Sequence, residues 1–118
     1  LQAQRLRPRF LAEFNAAVFS KADALFTPVM SIQVPRFEEA NISRSVDAPR
    51  IIDAVTRCTR WVSYLGLPAL SVPCGFTDLG LPVGFQVIGR PFNEALLLRL
   101  AYAYQSVTEW HAYEPNCD

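Results

Sequence analysis

The chain has 118 residues, 51% hydrophobic and 19% charged, with 11 Lys or Arg balanced by 11 Asp or Glu and a single His. That length fits one globular domain at most. Zero net charge and scattered arginines give no electrostatic footprint for nucleic acid or anionic lipid, and the longest apolar stretch, Ala95 to Tyr104, is interrupted by Arg99 far short of a membrane span.

In chain order, Phe10, Leu11, Phe14, Ala17 and Val18 fall on one helical face, so a helix is expected over 8–22, opened by Pro8 in its first turn. Ala24 to Thr27 is short, apolar and closed by Pro28, which reads as a strand. Periodicity then disappears from Val29 to Val46, and a loop of that length is a candidate pocket wall. Asp47 is placed to cap a second helix whose apolar positions, Ile52, Val55, Cys58, Thr59 and Val62, recur every three or four residues to about Tyr64, before Gly66 and Pro68 stop it. Ala69–Pro73 and Val83–Ile88 read as strands joined through Asp78-Leu79-Gly80, a separation that favours an antiparallel pair. Asn93 is placed to cap a last helix through Val107, so apolar that it expects cover on most sides. The expected architecture is α/β, about three helices and three strands, too few to cover one another without further protein mass.

Self-contained chemistry is not visible in this pattern. Cys58, Cys74 and Cys117 form no CxxC pair, so reduced thiols and a cytoplasmic location are expected, with no zinc site and no cofactor. The only imidazole, His111, lies near the end of the last helix, where a surface role outweighs catalysis. Glu38 and Glu39 are adjacent, so their carboxylates point apart and read as solvated loop charges. Cys74 before Gly75 is a nucleophile candidate without a basic partner, and a small core thiol is the better reading. Gln86 shares a strand face with Gly84 and Ile88, so its amide is expected to be buried and hydrogen-bonded, tying down a neighbouring segment more readily than meeting substrate. The sequence opens at Leu1 rather than Met, without a secretory leader pattern, and reads as a piece of something longer.

From Gly66 to Glu94 the residues Gly-Leu-Pro-Ala-Leu-Ser-Val-Pro-Cys-Gly-Phe and Gly-Leu-Pro-Val-Gly-Phe-Gln-Val-Ile-Gly-Arg-Pro-Phe-Asn-Glu resemble the closing segment of the amidase signature family. Upstream, Asp23 to Pro28 is similar to a family strand ending in proline, and Arg57-Cys58-Thr59-Arg60 to the helix before Gly66. The resemblance implies that residues 1–118 are the carboxy-terminal part of an α/β/α sandwich around a mixed sheet. It further implies a hydrolase or amidotransferase of carboxamides that uses a serine nucleophile, a second serine in a cis peptide and a lysine base. Those groups belong to the family's amino-terminal part. Here Lys21 is the single lysine, and no glycine- and serine-rich run is present.

By the same resemblance, Thr59, Trp61, Val62 and Ser63 line the acyl side of the substrate cavity, although ordinary helix packing accounts for Thr59 and Val62 about equally well. The family's usual Pro-x-Asn is replaced by Trp61-Val62-Ser63, which implies a narrowed or aromatic-lined pocket. Glutamine-using members carry an acidic residue where Thr56 stands, so a glutamine-specific site is not expected. The partners implied are a small-molecule amide and the remainder of an amidase chain, with neither nucleic acid nor membrane. Two other readings stay open: a non-catalytic αβ binding or dimerisation module that covers its last helix with a second copy, and a regulatory piece of a carbamoyl-processing enzyme.

Overall fold

The computed structural model describes residues 2–114, so the thiol expected at Cys117 lies outside the described residues. Four α-helices and three strands follow in the order α1 (Gln2–Phe14), β1 (Ala24–Pro28), α2 (Phe37–Ala40), α3 (Ala48–Leu65), β2 (Ala69–Phe76), β3 (Pro82–Gly89) and α4 (Glu94–Gln105). A π-helical turn, Asn15–Phe19, prolongs α1, and a 3₁₀ turn, Trp110–Ala112, follows α4.

The strands form one antiparallel sheet in the order β1-β3-β2, which places the last strand at the centre. The antiparallel β2–β3 pair is as expected, and β1 adds a second antiparallel pairing. Alternation along β3 sends Ile88 into a cluster with Phe19, Val62, Leu65 and Leu67 under α1 and α3, while Val87 joins Val72, Leu97 and Ala101 under α4. Helices therefore cover both faces of the sheet, giving the α/β/α layering. Val72, Val87 and Ile88 are almost wholly buried, each contributing about 1.5–3 kcal/mol through removal of its side chain from water.

Several boundaries differ from the sequence expectation. The first helix begins at Gln2, with Pro8 inside it rather than in its opening turn. Ala3, Gln4, Arg5 and Leu6 are strong helix formers and extend it upstream, and Pro8 withholds one N–H from the ladder. Arg7 donates to the Leu65 carbonyl at 3.4 Å and the Tyr64 hydroxyl donates to the Ala3 carbonyl, which pins α1 to the end of α3. The segment 29–46 contains the short α2, where Glu39 Oε2 accepts the Arg36 amide at 2.7 Å, so Glu39 organises its own turn.

Asp47 and Asn93 precede α3 and α4 as expected, but neither makes a side-chain cap bond. Asp47 already has helical backbone angles, and a capping side chain needs the extended conformation. The end of α3 follows expectation closely. Gly66 adopts φ 71°, its amide donates to Ser63 O at 3.2 Å, and the Leu67 amide reaches Val62 O at 3.2 Å, a Schellman closure with Leu67 packed near Val62.

The β2–β3 connection closes through Thr77, which accepts the Gly80 amide on its carbonyl and donates its own amide to Leu81 O. The register shifts between Pro73 and Gly75, leaving Cys74 at a bulge. On α4, Leu97 and Ala101 are buried, but Leu98 is 60% and Tyr102 75% exposed, so one side is covered and the other is bare.

Candidate functional site

The site is built on the central strand. Gln86 is paired across the sheet with Thr27 of β1 and Ser71 of β2, which sets a polar row of three side chains on the face turned toward α3. Gln86 itself is 4% exposed. Its Nε2 donates to Cys58 O at 2.7 Å, Thr27 Oγ1 at 2.9 Å and, more weakly, Pro28 O at 3.3 Å. Two of those partners are carbonyl oxygens, which only accept, so the amide orientation is fixed by its surroundings. One buried amide thus ties the middle of α3 and the end of β1 to the sheet, the role read from its position in the strand. Only Oε1 is left for other work.

Above this row lies a cavity of about 310 Å³ lined by Val29, Thr59, Val62, Ser63, Leu67, Ala69, Ser71 and Gln86. Successive helical residues turn by about 100°, so Thr59, Val62 and Ser63 share one face, whereas Trp61 lies about 200° from Thr59. Three of the four residues expected to line a pocket therefore meet at one cavity, and Trp61 does not. Its indole packs on Phe14, with ring centroids 5.1 Å apart, and lines an apolar depression between α1 and α3 with Phe10, Ala17 and Tyr64. Ser71, Leu67 and Ala69 were not singled out from sequence. The alternation that places Ser71 beside Gln86 was the available signal. Of the long segment 29–46, Val29 reaches this cavity, while Ser31 Oγ donates to Ala54 O on α3 at 2.7 Å.

The charged side chains of α3 occupy another face. Asp53 accepts from Arg57 at 3.1 Å and Arg60 at 2.9 Å, and all three line a separate depression with Trp61 and Tyr64. These hydrogen bonds, with Arg57 first and Arg60 next, hold the Asp53 carboxyl below the usual carboxylate range. Thr56, beside them, donates to Ile52 O at 2.8 Å and accepts from Arg60.

The remaining candidates lie elsewhere. Lys21 is exposed in the turn after the π-helical segment, and Glu38 and Glu39 are exposed on α2. His111 is exposed in the 3₁₀ turn, where with Phe76, Trp110 and Tyr113 it borders an aromatic-lined hollow. Cys58 and Cys74 are free thiols, each half-buried. Among the described residues no group of three His, Cys, Asp or Glu side chains is gathered for a metal ion, and no helix is long and apolar enough to cross a membrane.

Comparison with known proteins gives a consistent picture. The family profile described as Amidase matches residues 1–98. A glutamyl-tRNA(Gln) amidotransferase subunit from Chloroflexus aggregans is 42% identical over 116 residues, covering 98% of this chain and 22% of the relative. Its counterpart in Symbiobacterium thermophilum is 43% identical over 114 residues, covering 97% and 22%. The chain thus spans about a fifth of the length of the curated relatives it matches. Among solved structures, 6-aminohexanoate cyclic dimer hydrolase superposes with a TM-score of 0.80 at 21% identity, covering 93% of this chain and 24% of its own, a likeness of fold. A protein from a vestigial complex that reveals the origins of an s-triazine catabolic enzyme gives a TM-score of 0.72 at 32% identity, covering 90% and 23%.

Proposed function

The chain belongs to the amidase family, and from that premise we propose that it is the carboxy-terminal part of an enzyme cleaving the C–N bond of a small carboxamide by serine acyl transfer. In this reading the chain supplies scaffold and pocket wall. The nucleophile, the cis-peptide serine and the lysine base come from preceding polypeptide, and residues 1–118 alone are inactive. Acyl transfer needs an activated hydroxyl and donors preorganised for the oxyanion. Neither requirement is met by Lys21, His111 or Cys74 as they are placed here.

The observation that carries the proposal is the cavity over the polar row, where Thr59, Val62 and Ser63 meet Ser71 and Gln86. Its volume lies at the small end of ligand sites, which suits one end of a small substrate. The substrate's acyl part rests on this wall, and Gln86 keeps the wall in place by holding α3 on the sheet. The partners are the amide substrate and the rest of the amidase chain, in the cytoplasm. Because the relatives are named as components of an amidotransferase, the reading also admits a further protein partner.

The test is to express the gene product containing these residues with everything encoded upstream and assay ammonia release from simple amides. Turnover abolished by replacing the lysine base, together with inactivity of the 118-residue chain, is the expected result. A nucleophile mapped within residues 1–118 would overturn it. The bare side of α4, with Leu98 and Tyr102 exposed, favours a second reading as a non-catalytic module that dimerises through that side. A stable dimer of the isolated chain, with no amide turnover by the longer product, selects the module.

A further inference from the structure

Resting on the proposed amide-cleaving site, we propose that its wall is built for an uncharged acyl group of the substrate. None of the eight residues lining the 310 Å³ cavity is Asp, Glu, Lys or Arg. The charges of α3 are turned away and spent on one another, since Arg57 and Arg60 both reach Asp53 at the separate depression shared with Trp61. An ionised group entering the cavity would lose water and find no countercharge on this wall, which disfavours charged ligands strongly.

What the wall does offer is neutral and directional. Val62, Leu67 and Ala69 provide an apolar floor, and Ser63 and Ser71 provide hydroxyls. Gln86 has committed Nε2 to Cys58 O, Thr27 Oγ1 and Pro28 O, so it adds no free donor and no charge to the wall. A short aliphatic amide fits this chemistry. A glutamine-like chain ending in a carboxylate and an ammonium does not.

The experiment uses the full gene product and three amides of matched length: butyramide, succinamate and 4-aminobutyramide. Butyramide is expected to exceed both charged amides in kcat/KM by at least about tenfold, since a site without a partner for a charge rejects it by that much or more. Ser63→Asp places a carboxylate on the wall and is expected to raise 4-aminobutyramide relative to butyramide by about tenfold, whereas Arg57→Ser, on the opposite charged face, leaves the order unchanged. Backbone amide shifts at Ser63 and Ser71 on adding each amide report the preference without turnover, so absence of hydrolysis would count against the proposed function alone. Equal turnover or equal shifts with succinamate, or an order unmoved by Ser63→Asp, would overturn the uncharged-group assignment.

Discussion

Gln86 is the residue on which three elements converge. Replacing it by Leu keeps the volume but removes the donor to Cys58 O, Thr27 Oγ1 and Pro28 O. The expected loss is about 1–3 kcal/mol, the cost of leaving buried acceptors unmet, read as a lower denaturant midpoint in equilibrium unfolding. Its role was legible beforehand because an amide on the inward face of an apolar strand has to be satisfied. Which acceptors satisfy it was not legible, since Thr27 and Cys58 lie 59 and 28 residues away in sequence. Trp61 shows the opposite limit: the family resemblance grouped it with Thr59 and Ser63, yet helical rotation separates it from them, so Trp61→Phe is expected to leave butyramide kinetics nearly unchanged. Steady-state assay of the full product checks this.

The α3 helix gathers the chemistry of the site, and its two ends and faces carry distinct predictions. At its C-terminus, Gly66 stands at φ 71°, and a Cβ added there would fall 1.9 Å from Arg7 Nη2. Gly66→Ala is therefore expected to cost about 1–2 kcal/mol from backbone strain, and combining it with Arg7→Ala should leave that strain while removing the collision. Thermal melts of both variants separate the two contributions. On the charged face, Asp53 has a depressed carboxyl pKa, so the stability it adds is present above about pH 4, the ordinary Asp range, and is lost as pH falls through the lower folded value. Asp53→Asn should flatten that acid limb of the stability profile, by an amount that shrinks with added salt because the pair is exposed. The stop at Gly66 was readable from glycine chemistry. The start at Gln2 was not, because Pro8 is as acceptable in a first turn as it is tolerable, at a cost, within a helix.

At the scale of the whole molecule the chain is a slab of 46 × 41 × 19 Å with a radius of gyration of 16.7 Å. A compact domain of this length would have a radius near about 13–14 Å. The excess agrees with the exposed Leu98 and Tyr102 on α4 and with Phe92, 95% exposed in a left-handed backbone conformation at φ 65°. Purified alone, the chain is expected to bind a hydrophobic dye or self-associate, and Leu98→Glu with Tyr102→Lys should reduce both, as followed by dye fluorescence and sedimentation. A monomer indifferent to dye would argue that these surfaces need no cover. The order of the strands has a further consequence, for biosynthesis. Because the central strand of the three is translated after both of its neighbours, β1 and β2 emerge before the strand that pairs with each of them. A nascent chain arrested before Pro82 lacks the strand that joins β1 to β2, so assembly of these three strands waits for translation to pass Gly89, and protection of β1 and β2 from proteolysis in stalled chains should rise only beyond that point.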